Sequence, residues 1–355
     1  MHVVVILPRW VGDTVMATPL LRGLRAHLPA ARITGVLRPV LVELLDGTGW
    51  LDDHIPYDRH AGRPDRGFAA AARALRGRRA DVALVLPGSL SAAALAWAGG
   101  VRRRVGFGGS GRGLFLTDRL RHPELEPGDP RRAPPHVYLA VGGPLGVPPE
   151  PARVELAVTR ADETRGDALL AELFPHRSGP LVILNDNSAN GSARSWGPQR
   201  HAALARWLVE RVPEVRVLVH CGPGDREPAR AIVSAADSPA VRGLGDVPDL
   251  PLGLSKALYR RAQLSVTSDS GPRHIGAAFG VPTVALIGPT EPLSGRSAPD
   301  SCIDIRLDLP CSPCSQSDCP LQHGDCMRLI DVERVSQAAL RLLDGAARER
   351  VGRAG

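Results

Sequence analysis

Short aliphatic runs alternate along this chain with stretches whose apolar positions recur every three to four residues. Val3–Leu7 is the first run, Thr14–Leu28 has helical spacing, and Ile33–Leu37 returns to the short-run pattern. Strands separated by helices pair in parallel through right-handed crossovers. Val82–Leu86 continues the series, and Pro87, Gly88 and Ser89 lead from it into an Ala-rich helix over Ser91–Ala98. The first half therefore predicts a doubly wound sheet.

The Pro- and Gly-rich stretch GGPLGVPPEP, residues 142–151, suits a connector. After it the spacing predicts a helix over Ala161–Leu173, a break at His176–Pro180, and a second alternating series. That series has strands at Leu181–Leu184, Val215–His220, Leu264–Thr267 and Thr283–Ile287, and helices at Gln199–Glu210, after Glu227 to Ala235, and at Arg273–Phe279. A final helix is predicted over Val332–Arg350. The chain divides on this reading into domains 1–172 and 173–345 with a charged tail, 346–355. Two similar sheets in tandem predict a ligand cleft between them.

At 355 residues and 43% hydrophobic content the chain can bury two cores. With 38 glycines, 33 prolines and only 4% aromatics, those cores are aliphatic and loops are many, which fits an α/β class. The formal charge is +7, carried by arginine with Lys256 as the sole lysine. Arginine excess follows from a GC-rich coding bias as readily as from function. Functionally it favours anionic partners such as nucleotides, phosphorylated saccharides or an anionic membrane. Nucleic acid is disfavoured, because no basic stripe with interleaved aromatics is present. No apolar run reaches the roughly 18 residues of a membrane span, and the N-terminus lacks a signal-peptide pattern. The expectation is a cytoplasmic protein, with peripheral contact on the inner face of the inner membrane left open by its charge.

Several loops carry candidate chemistry. Asp13, in Pro8–Thr14, follows the first strand, where an open parallel sheet presents residues to its binding crevice. A helix N-cap is the plainer reading of the same carboxylate. Ser268–His274 again joins a strand to a helix, and backbone N–H groups at such a start, with Gly271 allowing close approach, suit a phosphate. An Asp/Ser cap is the alternative there. Arg194, in the polar loop Asn185–Trp196, is either a diphosphate ligand or a solvated charge. The turn Cys221–Glu227, including Gly222 and Glu227, could meet a ribose or be turn chemistry alone. Cys311, Cys314, Cys319 and Cys326 are spaced C-x2-C-x4-C-x6-C. That is no standard zinc signature, so reduced thiols bracing a loop are expected, with structural zinc the alternative.

Taken together, WVGDTVMATPLLRGL, RRRVGFGGSGRGLFLTDRL, SDSGPRHIGAAFGVPTVALIGPTEP and CSPCSQSDCPL followed by HGDCM resemble glycosyltransferase family 9, the ADP-heptose:lipopolysaccharide heptosyltransferases, most of all the heptosyltransferase II branch. The resemblance spans nearly the whole chain in order. It implies the GT-B architecture, in which two Rossmann-like domains face a central cleft, the first binding acceptor and the second nucleotide sugar. It implies that Asp13 is the catalytic base, with Trp10 and Gly12 in the acceptor-side loop. Arg194, Ser270, Gly271 and Arg273 would hold the donor diphosphate. Asp269, His274, Gly222 and Glu227 would meet the donor sugar or nucleotide. Two departures stand out: Arg194-Ser195-Trp196 has one cation fewer than the K-R-W or R-R-W that family members often have, and Asn185-Asp186-Asn187 replaces the commoner N-P-N or P-G-A.

The implied reaction is inverting transfer of a heptose or related sugar from an ADP-activated donor to a hydroxyl of lipopolysaccharide core or another surface saccharide. No cofactor is expected for catalysis, in keeping with the lack of an Asp-x-Asp motif. The expected partners are ADP-heptose and a lipid-linked or saccharide acceptor. A transferase or epimerase using a different nucleotide sugar is the alternative, and a saccharide-binding protein without activity is another. A nicotinamide oxidoreductase is disfavoured by the missing GxGxxG fingerprint.

Overall fold

The computed structural model describes residues 1–122, 129–149, 152–186, 191–291 and 302–354. Asn187, the connector's last residues Glu150 and Pro151, and Pro292 lie outside them. The chain divides into two compact units, Met1–Val158 and Thr159–Gly355.

In the first unit six parallel strands, β1 (His2–Ile6), β2 (Arg32–Leu37), β3 (Asp53–Pro56), β4 (Val82–Val85), β5 (Arg103–Phe107) and β6 (Asp118–Leu120), form one sheet in the order β3-β2-β1-β4-β5-β6. Its helices are α1 (Val11–Met16), α2 (Thr18–His27), α3 (Val40–Leu45), α4 (Phe68–Arg78), α5 (Leu90–Ala98) and α6 (Pro134–Ala140). β1 sits at the centre because its Val3, Val4, Val5 and Ile6 are apolar on both faces, as a strand covered by helices on each side requires. Val4, Ile6, Leu75 of α4 and Leu95 of α5 share one buried cluster. The single helix predicted over Thr14–Leu28 is two helices. Pro19 in the first turn of α2 has no N–H to continue α1's hydrogen bonds but suits a helix start.

The second unit contains β7 (Leu181–Asn185), β8 (Arg216–Val219), β9 (Val241–Gly243), β10 (Leu264–Ser268), β11 (Thr283–Ile287) and β12 (Cys302–Arg306), in the order β12-β11-β10-β7-β8-β9. Read from its other edge this order matches that of the first unit, and every pairing is parallel. Its helices are α7 (Arg160–Leu173), α8 (Pro198–Arg211), α9 (Arg226–Ala236), α10 (Leu252–Arg261), α11 (Gly271–Ala278), α12 (Asp325–Arg328) and α13 (Val332–Ala354). The helical backbone thus runs on through most of the expected tail.

The units part at Val158/Thr159, earlier than the sequence boundary after residue 172. The cause is α7, which packs on α10 of the second unit. Gly166 lies so near Ala257 that an added Cβ would meet the alanine methyl at 2.9 Å, and Arg261 pairs with Asp167 across the same seam. In each unit the connection reverses direction at one place, between β1 and β4 and between β7 and β10. In open α/β sheets, ligands bind outside the carboxyl ends of the strands at that point.

Candidate active site

At the first unit's switch point the chain leaves β1 through Leu7–Trp10 and enters α1. The Thr14 hydroxyl donates to the Pro8 carbonyl at 3.2 Å and pins this loop. Asp13 is not the N-cap. That position belongs to Trp10, whose side chain makes no capping bond, and Asp13 sits half-buried in the first turn, where a carboxylate is favoured by the helix dipole. The Tyr138 hydroxyl of α6 donates to Asp13 Oδ1 in a long hydrogen bond of 3.3 Å. Burial, and then the charge of Asp13, raises the Tyr138 phenol above its ordinary range, so it stays protonated and remains a donor. Trp10 is 45% exposed, with the Arg9 guanidinium 4.5 Å above its ring. Gly12 is buried beneath the loop. Beside Arg9 a cavity of about 200 Å³ opens over the ends of β1, β2 and β4, lined among others by Arg38, Tyr57, Arg59, His60 and Ser89. The Arg38 guanidinium is committed to Asp58 at 2.9 Å.

At the second unit's switch point two loops meet. Asp186, directly after β7, accepts from the Trp196 and Gly197 amides at 2.8 and 3.2 Å and from the Ser195 hydroxyl at 2.8 Å. The acid that departs from the family's N-P-N is therefore the clasp of the Arg194 loop. Arg194 Nη1 donates to the Asp269 carbonyl at 3.2 Å, tying this loop to the turn after β10. Its Nε is buried with no acceptor, and among the described residues Arg194 has no ion pair. Asn185 completes the junction. Its amide donates to the His220 carbonyl at 2.9 Å, while its Oδ1 accepts from the Thr267 and Ser270 hydroxyls at 3.3 and 3.5 Å.

Ser270 holds the N-cap position of α11 in extended backbone, yet its side chain makes no capping bond; the hydroxyl points back to Asn185 and the Ser268 carbonyl. The expected alternative of a side-chain cap does not apply, and Gly271 opens the helix with no side chain over its start. Arg273 departs from its expected place as a phosphate ligand. It is 4% exposed, and its two terminal nitrogens are taken by Asp269 at 2.9 Å and Asp304 at 2.7 Å. Burial works against its charge, but these carboxylates outweigh burial and raise its pKa. Asp269 is correspondingly lowered: burial opposes ionisation and the charge of Arg273 overcomes it. Its carboxylate thus braces the turn from beneath. His274 is pushed down to about 4 by burial, against the pull of Asp269, so it is neutral near pH 7.

The other expected residues lie in the second unit. An added Cβ at Gly222 would meet nothing within 4 Å, leaving open space after β8. Glu227 is exposed and pairs with Arg230 at 3.4 Å. Cys311, Cys314 and Cys319 are half-buried and Cys326 is buried, all as free thiols. The Cys319 sulfur accepts from the Gly324 amide at 3.4 Å. Among the described residues no group of three or more His, Cys, Asp or Glu side chains is arranged to hold a metal ion. No described helix is long and apolar enough to cross a membrane. Sequence reasoning missed Tyr138, Asp186, Asn185 and the arginines of the cavity. Only Asn185 and Asp186 left a trace, as departures from a familiar motif.

Solved structures share this fold over almost their whole length. Heptosyltransferase II of Escherichia coli superposes with a TM-score of 0.76 at 24% identity, covering 97% of this chain and 98% of the other. A family 9 glycosyl transferase of Veillonella parvula gives 0.78 at 22% identity, with 96% and 97% coverage. These likenesses establish the α/β fold of the GT-B heptosyltransferase structures. In sequence, lipopolysaccharide heptosyltransferase 2 of Salmonella typhimurium is 28% identical over 305 residues, 82% of this chain and 84% of the relative. Residues 68–324, well over half the chain, match Glycosyltransferase family 9 (heptosyltransferase). The chain therefore belongs to glycosyltransferase family 9, the heptosyltransferase family.

Proposed function

We propose that this glycosyltransferase moves a heptose, or a closely related sugar, from an ADP-activated donor to a hydroxyl of a lipopolysaccharide core saccharide, with inversion at the anomeric carbon. The observation that carries the donor half is Arg194. A half-buried guanidinium with an unsatisfied Nε stands beside an uncapped helix start, and a diphosphate answers both. Arg273 and Asp269 hold that turn rigid and do not touch the phosphates.

In the acceptor half, Asp13 takes the proton as the acceptor oxygen attacks the anomeric carbon from the face opposite ADP. The new C–O bond forms, the bond to the diphosphate oxygen breaks, and its electron pair leaves with ADP. Tyr138 keeps Asp13 oriented. The Arg-lined cavity over the ends of β1, β2 and β4 suits anionic substituents of the acceptor. Arg194 and the α11 start receive the charge of the departing diphosphate, so this reading asks no metal ion of the transfer.

Replacing Arg194 by alanine removes a charge-assisted contact, for which a loss of roughly 10- to 100-fold in donor affinity is expected. Calorimetric titration with ADP measures it. Unchanged ADP affinity in Arg194→Ala would remove the diphosphate from this loop.

A further inference from the structure

One surface of the first unit is apolar where water should meet polar groups. α5 (LSAAALAWA) carries no charged residue, and its outward side presents Leu90, 48% exposed, and Trp97, 57% exposed. A surface helix ordinarily turns a polar face to solvent. The short helical turn Arg112–Phe115 lies against it: Phe115 meets Trp97 edge to face, with centroids 5.5 Å apart, and Leu114 projects outward at 80% exposure. Leu90, at the other end of α5, reaches under the same turn, 3.9 Å from where a side chain on Gly111 would begin. Three large apolar side chains are thus exposed on one continuous patch.

The rim of this patch is basic. Between Phe68 and Arg119 the sequence has nine arginines (73, 76, 78, 79, 102, 103, 104, 112 and 119) against two acids, Asp81 and Asp118, a local excess of 9 − 2 = 7, although Arg78 is paired with Asp53 and Arg103 with Asp118. The carboxylate of Asp81 accepts from the His2 amide at the start of β1. Arg76 packs against Gly100 at the end of α5, and Arg119 against Gly113 in the turn. Together with Arg102, these arginines form no ion pair among the described residues.

We propose that the outer face of α5 and the Arg112–Phe115 turn rest on an anionic phospholipid surface, with Leu90, Trp97 and Leu114 entering the headgroup boundary and Arg76, Arg102 and Arg119 meeting lipid phosphates. Trp and Leu with arginines around them match the two layers of such an interface. A second copy of this chain fits less well, since it would bring the same positive rim against itself. The proposed lipid-linked acceptor gives the surface its use and the inference rests on that reading to this extent. Vesicles without acceptor test the surface separately from the transfer.

The experiment is co-sedimentation of the full chain with phosphatidylglycerol-containing vesicles and with pure phosphatidylcholine vesicles. The chain should partition onto the anionic vesicles and be released by high salt, with binding to phosphatidylcholine about tenfold weaker or less. Leu114→Asp, at a position too exposed to disturb folding, should lower partition roughly tenfold while its melting temperature and its turnover on a water-soluble acceptor stay unchanged. Trp97→Ser should act in the same direction. Failure of the unaltered chain to bind anionic vesicles overturns the proposal, as does undiminished binding by Leu114→Asp. A dimer that Leu114→Asp splits, with vesicle binding intact, overturns it too and assigns the face to a second copy. If vesicle binding fails while sugar transfer persists, the surface is wrong and the proposed function stands.

Discussion

The two units share one strand order and differ at the place where that order reverses. In the first, the loop after the central strand presents a half-buried carboxylate, Asp13, steadied by one hydroxyl from α6. In the second, the equivalent loop presents a cation, Arg194, and the neighbouring turn is braced from below by the Asp269–Arg273–Asp304 ion network. A common scaffold places both loops at the strand ends, and on the proposed function the loops decide their chemistry: proton acceptance on one side, anion binding on the other. The supports differ too: in the first unit Thr14 pins the loop and a long hydrogen bond from Tyr138 reaches Asp13, whereas the second has a loop clasped by Asp186 and an ion network under the neighbouring turn.

The sharpest way to break this comparison is at Asp13. Asp13→Asn keeps the shape and removes the base, and turnover should fall by about 10²- to 10⁴-fold. Single-turnover rates with saturating donor read this directly, and a loss below tenfold would make the carboxylate structural. Next is Arg273→Ala. If Arg273 braces the turn, its removal leaves Asp269 buried without its cation and should cost about 3–5 kcal/mol of stability. Denaturant unfolding measures it. Near-normal stability with lost ADP binding would return Arg273 to the phosphate.

The smallest effect concerns protons. Burial lowers His220 from its ordinary 6.5 to about 4. Between those values the unfolded chain binds a proton that the folded imidazole refuses, so stability is complete above about pH 6.5 and declines as pH falls toward 4. His274, also lowered to about 4 by burial, adds in the same direction. Melting temperatures from pH 7 to pH 4.5 should fall monotonically, and His220→Asn should show a shallower slope. An identical slope would show that His220 is not the group responsible.

Much of this arrangement could be read from the sequence, because fully buried strands such as Val3–Leu7 and Thr283–Ile287 announce themselves as unbroken aliphatic runs. The edge strands did not. β6 reads Asp-Arg-Leu and β12 reads Cys-Ile-Asp-Ile-Arg, polar patterns that strand pairing at the sheet margin overrides. α7 reads correctly as a helix but not as part of the second unit, since its attachment depends on Gly166 meeting Ala257, a contact remote in sequence. At the site, Asp13, Arg194 and Gly271 were legible because each follows a strand end. The side-chain partners were not. Tyr138 reaches Asp13 across 125 residues of chain, and the charge on Arg273 says nothing by itself of the half-buried acid 31 residues further on that pairs with it.

The division of labour between the units is tested most directly by titrating ADP into Asp13→Asn and Arg194→Ala side by side, with the unaltered chain as reference. The account predicts that Asp13→Asn binds ADP as the unaltered chain does while its transfer is lost, and that Arg194→Ala binds ADP roughly 10- to 100-fold more weakly. Equal loss of ADP affinity in both variants, or in Asp13→Asn alone, would contradict it.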